Sequence, residues 1–347
     1  MPNTVPNPFA LTKMTHCPVC FCAQGKQHIV REMMFGTRAE FAYVECDNCD
    51  CLYIRDSTID LNVQHQLYGD TYYSFKNTTP VSSSAFRRFV KKRRFRFALW
   101  NKGLSGRVLE WISPVASQYQ WLKECRLKNF DSAILDVGCG AGNLLAYLSR
   151  IGFQNLCGVD PYISNDAEFE NVRIFKKTLS DVHEEFDCIM FHHSFEHMND
   201  PLQVLKTATG LLRRNGTIVI RMPVKDCYAW QQYGTHWVQI DAPRHIVILS
   251  TQSMALLTTM VDLKIAKCYY DSTAFQFWGS EQYLRGIPLY SPTSYVVDPN
   301  KSVFTKETIA AFSEEAEKLN AARQGDQAVF ILTPQESILD LSNELQG

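Results

Sequence analysis

Ile134-Leu135-Asp136-Val137-Gly138-Cys139-Gly140-Ala141-Gly142-Asn143 is the stretch that decides how this chain folds. An apolar run ends in an acid, three glycines follow at alternate positions, and Leu144-Leu145-Ala146-Tyr147-Leu148 continues with helix-forming residues. This pattern predicts a buried strand, a tight turn and a helix start. Glycine lets a backbone turn sharply and approach a ligand closely because it has no Cβ. The free amides of the helix N-terminus then face the same ligand. Asn143 stands where a dinucleotide fingerprint carries its third glycine, which argues against a nicotinamide or flavin ligand.

Working outward, Leu156-Cys157-Gly158-Val159-Asp160 reads as the next strand, again ending in an acid. In parallel α/β sheets an acid roughly 20 residues past the glycine turn bonds ribose hydroxyls. Phe186-Asp187-Cys188-Ile189-Met190-Phe191-His192-His193-Ser194-Phe195-Glu196-His197 and Asn215-Gly216-Thr217-Ile218-Val219-Ile220 supply two further landmarks in order. Together they resemble class I S-adenosylmethionine-dependent methyltransferases, strongly over 131–220. The resemblance implies an α/β fold, a seven-stranded Rossmann-like sheet with helices on both faces and its last strand antiparallel. It also implies S-adenosylmethionine as cofactor. Its carry-over falls on Asp136, Gly138, Cys139, Gly140 and Gly142 in the turn, and on Asp160 and Pro161 at the ribose. Leu179 stands on the adenine side, and His192, His193, Ser194 and His197 follow the fourth strand.

The chain has 347 residues, 46% hydrophobic and 12% aromatic, enough for a sizeable core with an appended module. A net charge of −1 gives no global preference for nucleic acid or membrane, so any such preference is local. No apolar run reaches the roughly 18–20 residues of a membrane span, and the N-terminus lacks a basic start and an apolar signal core. The expectation is a cytoplasmic protein.

Twelve cysteines in a chain without an export signal point to thiols and metal ligands, not disulfides. Six crowd into residues 17–51. Cys17-Pro18-Val19-Cys20 and Cys46-Asp47-Asn48-Cys49 are two knuckles 25 residues apart, supplying the four thiolates structural zinc prefers. A redox dithiol or iron–sulfur site is the alternative. Cys22 and Cys51 follow at matching offsets as spare ligands or buried thiols. The zinc-binding module is placed at 14–57.

Residues 58–130 read as a linker. Its aromatic cluster, including Tyr72 and Tyr73, is either packing or a flap over cofactor and acceptor. Seven of the ten residues from 87 to 96 are cationic, and Phe86, Phe89, Val90, Phe97 and Trp100 recur at helical spacing. This predicts an amphipathic basic helix over 86–100. Such helices bind anionic lipid, nucleic acid or phosphorylated substrates, against the blander reading of a solvated helix with its aromatic stripe on the core. The methyltransferase domain spans 131–333, with 271–325 an insertion between its last two strands covering the ligand edge, and 334–347 a tail.

The long connection 223–250 carries Trp230, Tyr233, His236, Trp237, Asp241, Pro243, Arg244 and His245. Similar Trp…Asp-x-Pro-Arg-His segments occur in methyltransferase-like proteins of bacterial surface-polysaccharide pathways, where the loop faces the acceptor. Tyr233, Trp237, Asp241 and Arg244 join Tyr72 and Tyr73 as candidate acceptor contacts. An oxygen or carbon acceptor must lose a proton, and histidine suits that work near neutral pH. His193 and His245 are the candidate general bases; each is also readable as a structural histidine. The expected reaction is methyl transfer to a small polar acceptor, a sugar or nucleotide-sugar in glycan synthesis. One alternative is an RNA methyltransferase gripping phosphate through the zinc module and basic helix. Net charge weighs against nucleic acid, as does the lack of an Asn/Asp-Pro-Pro-Tyr-type motif after the fourth strand. A non-catalytic zinc-ribbon binding protein on a methyltransferase fold is the other, opposed by the intact glycine turn and Asp160.

Overall fold

The computed structural model describes residues 14–55, 84–116 and 119–335. Twelve strands are described: β1 (Gly25–Arg31), β2 (Glu40–Cys46), β3 (Leu52–Ile54), β4 (Ala133–Val137), β5 (Asn155–Val159), β6 (Ala167–Phe169), β7 (Val172–Phe175), β8 (Phe186–His192), β9 (Leu212–Pro223), β10 (Val247–Ile248), β11 (Leu263–Tyr270) and β12 (Gln327–Pro334). Eight form one sheet in the order β11-β12-β9-β8-β4-β5-β7-β6. Its centre is parallel, with Asp136 opposite Gly158 on one side and Met190 on the other. Strands buried on both faces need near-continuous apolar runs, as β4 and β8 have. At the far side β12 runs antiparallel to both β9 and β11.

The expected seven strands become eight. The addition is β6, a three-residue edge strand antiparallel to β7 and largely exposed. With no buried face, it leaves no alternation in the sequence to read.

Side-chain alternation sends Ile134, Leu156, Cys188, Met190 and Val219 to one face of the sheet and Leu135, Cys157, Ile189, Phe191 and Ile220 to the other. The N-terminal part of the chain covers both faces. On one, the cysteine-rich module shares a continuous core with the sheet. Its own sheet, β1-β2-β3-β10, borrows its fourth strand from 247–248, so the connection 223–250 is partly a structural element of the module. On the other face, the helix Ala85–Trp100 inserts Phe95, which is fully buried. Burying one such ring contributes roughly 1.5–3 kcal/mol.

The aromatic stripe expected on that helix is not all packed. Phe86 is 73% exposed and Phe89 is also exposed. The next helix, Leu104–Ile112, leaves Trp111 84% exposed. Helical spacing located the stripe but could not tell which neighbour covers it. Tyr72, Tyr73 and the linker's aromatic cluster lie outside the described residues. The insertion contributes the helices Phe275–Leu284 and Lys306–Ala321 between β11 and β12. Among the described residues, no helix is long and apolar enough to cross a membrane.

Candidate active site

The glycine turn leaves β4 at the carboxyl edge of the parallel strands, where open α/β sheets bind ligands. Gly138, Gly140 and Gly142 all have positive φ. A Cβ on Gly138 would stand 2.5 Å from the Ser194 Cβ, so any larger residue would push the turn off the end of β8. A Cβ on Gly142 would collide with Ile174. Gly138 and Cys139 donate their amides to the Val159 carbonyl at 2.8 and 3.3 Å, tying the turn to β5. The Cys139 thiol lies over Gly158, a packing position.

Asp160 locks the turn from below. Its Oδ2 accepts from the Gly140 amide and its Oδ1 from the Tyr162 amide, both at 2.9 Å. Burial raises its carboxyl above the ordinary value, and the two amides oppose that rise. A carboxylate oxygen accepts more than one hydrogen bond, so both keep capacity for ribose hydroxyls. Asp136 is buried, and its carboxyl is pushed up to about 8 by burial and by Asp160. Pro161 follows Asp160 and is half-buried. Leu179, expected on the adenine side, is buried at the start of a short 3-10 turn. Asp181 is committed to Thr178, accepting from its hydroxyl at 2.7 Å and its amide at 3.0 Å.

Three neighbouring residues at the end of β8 enter different surroundings. His192 packs against Trp121, ring centroids 4.9 Å apart, and its buried Nε2 has no hydrogen-bond partner. Burial, helped by Arg221 and His193, lowers its pKa to about 3. His193 has a positive φ of 53° and turns back toward the sheet, with its side chain 33% exposed. Its Nε2 accepts from Arg221 at 2.7 Å, and its Nδ1 lies 3.5 Å from Glu196. Arg221 is itself held by Asp271 at 2.7 Å. The Ser194 hydroxyl donates to the Val137 carbonyl at 2.6 Å, joining β8 to the glycine turn.

Glu196 and His197 lie in the next turn, and the loop 241–246 closes over them. The Ile246 amide donates to the Glu196 carbonyl at 2.8 Å. His197 Nδ1 donates to the Arg244 carbonyl at 2.8 Å, and His245 Nδ1 to the Gln239 carbonyl at 2.7 Å. The two rings meet edge to face, centroids 4.8 Å apart. Burial and His245 push the His197 imidazole below its ordinary value. Burial pushes the Glu196 carboxyl up, but His193, His245 and His197 outweigh it and bring it to about 2.

Four expected acceptor contacts are enclosed instead of lining the edge. Trp237 is buried and donates its Nε1 to Asp326 at 3.0 Å. Tyr233 is buried with its hydroxyl 3.4 Å from Glu281. Arg244 is fully buried between Asp241 and Glu32 of the module, the latter at 3.4 Å. These residues join the module to the loop. Sequence reasoning missed Glu32, Arg221 and Asp271. Arg221, a lone cation in the apolar run Ile218-Val219-Ile220-Arg221-Met222, was the available signal. A cavity of about 590 Å³ between the module and the insertion, with Arg31, Arg38, Glu40 and His236 in its walls, includes no residue of the turn.

The cysteine cluster stands apart from this edge. One sulfur each from Cys17, Cys20, Cys46 and Cys49 lie within 4.8 Å of one another. Cys17–Cys49 and Cys20–Cys46 are both 3.5 Å apart, near the roughly 3.8 Å of a tetrahedral zinc–thiolate set. The amides of Val19 and Cys20 donate to the Cys17 sulfur at 3.4 and 3.5 Å. Cys51 lies 3.4 Å from Cys17, whereas Cys22 turns to the Gln24 carbonyl.

A family model described as a methyltransferase domain matches residues 94–267, half of the chain. The chain belongs to this methyltransferase family. The residues in it that fit S-adenosylmethionine are the glycine turn and Asp160. A ubiquinone biosynthesis O-methyltransferase of Bradyrhizobium diazoefficiens is 35% identical over 97 residues, 25% of this chain and 38% of that one. A tRNA U34 carboxymethyltransferase of Campylobacter hominis is 28% identical over 169 residues, 44% of this chain and 58% of that one. The methyltransferase thus spans less than two thirds of either relative. Among solved structures, a mycolic acid cyclopropane synthase is 17% identical with a TM-score of 0.42, over 65% of this chain and 85% of that one.

Proposed function

We propose that this methyltransferase acts on a hydroxyl oxygen of a small polar acceptor, with sugars and nucleotide-sugars the first class to try. The observation that carries the reading is the histidine–carboxylate cluster of His193, Glu196, His197 and His245, set beside the glycine turn at the ligand edge. The O-methyltransferase relative supports an oxygen acceptor without specifying which.

When bound, the cofactor supplies an electrophilic methyl group on a positively charged sulfur. The chain's part is placement and proton removal. Asp160 and the amides of the turn hold the nucleoside end, and the small residues of the turn let it approach. Ser194 fixes the spacing between the turn and the histidines. His193 is the cluster member most open to an acceptor, but Arg221 occupies its Nε2, so it positions the acceptor more readily than it takes a proton. His245 keeps an Nε2 without a carbonyl partner and faces Glu196. Losing a proton-removing group costs about 10²–10⁴ in rate. The test is transfer of labelled methyl from S-adenosylmethionine to a panel of nucleotide-sugars and phenols, with wild type, His193→Ala and His245→Ala. His245→Ala should lose turnover at unchanged cofactor affinity. Normal turnover in both variants would remove the cluster from the reaction.

Zinc held by Cys17, Cys20, Cys46 and Cys49, folding the module and taking no part in methyl transfer, belongs to the same proposal. A second reading, RNA as acceptor, is supported by the exposed cationic helix Ala85–Trp100 and by the tRNA-directed relative. Steeply salt-dependent RNA binding would favour it.

A further inference from the structure

Glu196 poses a physical problem. Its side chain has no exposed surface, and neither carboxylate oxygen has a hydrogen-bond partner. The nitrogens facing it are His193 Nδ1 at 3.5 Å and His245 Nε2 at 3.9 Å, both beyond hydrogen-bond length. An unpaired buried carboxylate costs several kcal/mol, so such groups are normally paired or bound to metal. The two histidines beside it are arranged alike. Each gives its Nδ1 proton to a backbone carbonyl, which fixes the tautomer and leaves Nε2 with a lone pair. This is the outer-shell bond that metal-ligating histidines make. One donor atom each from Glu196, His197 and His245 lie within 4.8 Å of one another. A cation with bonds of about 2.1 Å wants neighbouring donors roughly 3–3.5 Å apart, so closing the site takes an ångström or so of side-chain movement.

We propose that Glu196, His197 and His245 bind a divalent first-row transition-metal cation, distinct from the zinc of the cysteine cluster. Two imidazoles and one carboxylate suit manganese, iron, cobalt or zinc, and three protein donors leave coordination positions open. The elements are already in place. The Ile246 amide on the Glu196 carbonyl and the Arg244 carbonyl on His197 hold the two ligand-bearing segments together without help from the ion. His193 stands at the rim, held by Arg221 and half-open to solvent. Resting on the methyl-transfer reading, the open positions take the acceptor's oxygen, which selects acceptors with one or two hydroxyls able to reach the metal. His245 is then a ligand and not the base: the metal-bound hydroxyl gives its proton to solvent water at the rim beside His193, and the oxygen left takes the methyl group as the cofactor's carbon–sulfur bond breaks.

The test uses the full chain with zinc in the cysteine cluster. Mn²⁺ is titrated and followed by electron paramagnetic resonance, because a hard cation discriminates against the thiolates. Wild type should bind one equivalent, and binding should be lost in Glu196→Gln and His245→Gln with zinc content unchanged. Thermal melting accompanies each titration. Mn²⁺ should raise the melting temperature of wild type and of neither variant, while metal-free Glu196→Gln melts no lower than metal-free wild type. A carboxylate serving only to order the histidines would give the reverse, a lower melting temperature whether or not Mn²⁺ is present. No saturable Mn²⁺ binding by wild type, or binding retained in Glu196→Gln, would overturn the proposal. Failure of the acceptor panel with Mn²⁺ binding intact would instead remove the methyl-transfer reading and leave the metal site standing.

Discussion

The cysteine cluster and the Glu196 cluster are two candidate metal centres built on opposite plans. The first offers four identical donors from two knuckles, a set that would close a tetrahedron with no position left over. The second has three donors of two kinds, taken from the turn after β8 and from the loop 241–246, with the partly exposed His193 beside it. A closed set holds a fold and an open set can hold a substrate. The two are also mechanically joined. The Tyr43 hydroxyl donates to the His245 carbonyl at 2.8 Å, and Ser250 to the Cys49 carbonyl at 2.9 Å. Lys225 reaches both Glu45 and Asp50. The module is therefore the platform on which the open centre is held, and the asymmetry can be tested: the closed centre should be lost only with structure, the open one with chemistry alone.

The largest effect is expected from Cys46→Ser. Zinc binding in small thiolate sites is worth on the order of 10 kcal/mol, and that free energy is folding free energy. The variant should lose zinc, melt well below wild type, and lose order in β1–β3 by hydrogen exchange. Because β10 belongs to the same sheet, the loop carrying His245 should exchange faster too. Metal analysis returning a full equivalent of zinc would mean that Cys51, 3.5 Å from Cys49, had entered the ligand set.

Arg244→Ala probes the joint itself. The guanidinium is fully buried between Glu32 and Asp241, and burial of Asp241 is offset by Arg244, which holds that carboxyl below its ordinary value. Removing one partner from a buried ion pair costs about 3–5 kcal/mol, because the remaining charge has no compensation. Urea unfolding should show a loss of that size with zinc still bound. Unchanged stability would mean that module and loop are held by their apolar core alone.

The parts of this molecule legible in the sequence are those with strong local signals. The glycine turn, Asp160, the central strands and the two cysteine knuckles each combine a spacing with a chemical requirement. β11 and β12 emerged at Leu263–Tyr270 and Gln327–Pro334, close to the expected positions, because both are apolar runs with clear ends. β6 and β10 were invisible, being two or three residues long and formed by pairing alone. In the loop 223–250 the polar and aromatic residues drew attention correctly, but tertiary contacts decided their roles. Trp237 and Arg244 went to the core, and His245 is buried beside Glu196. Glu196 read only as a loop residue, since nothing local shows that both its oxygens are buried without partners.

Asp160→Ala separates the cofactor from both centres. It removes a charged acceptor, which is worth roughly 1.5–3 kcal/mol. The affinity for S-adenosylmethionine should fall by roughly 10- to 150-fold in calorimetry, while zinc and Mn²⁺ binding stay as in wild type. Asp160 also holds the Gly140 and Tyr162 amides, so Asp160→Asn, which keeps one acceptor oxygen, should lie between. Equal affinity across all three proteins would take Asp160 out of the cofactor site.

The smallest expected effect distinguishes the dry side of the β8 end from the side facing Glu196. His192 sits next to His193 in sequence but is directed against Trp121, with a buried, unpartnered Nε2 and a pKa of about 3. In the unfolded chain it returns to an ordinary value near 6.5. Its folded pKa is therefore depressed, and between about 6.5 and 3 the unfolded state binds the extra proton. Stability must fall as pH falls through that window, while above about 6.5 the residue contributes no slope. At one pH unit inside the window the loss is about 1.4 kcal/mol. Other groups titrate there as well, so the useful quantity is a difference: urea midpoints of wild type and His192→Leu at pH 7.5 and 5.5. The wild type should lose about that much more than the variant on acidification, with the two centres unchanged at pH 7.5. Parallel losses would mean that His192 takes up its proton without unfolding the chain, and that the β8 end is wet on both sides.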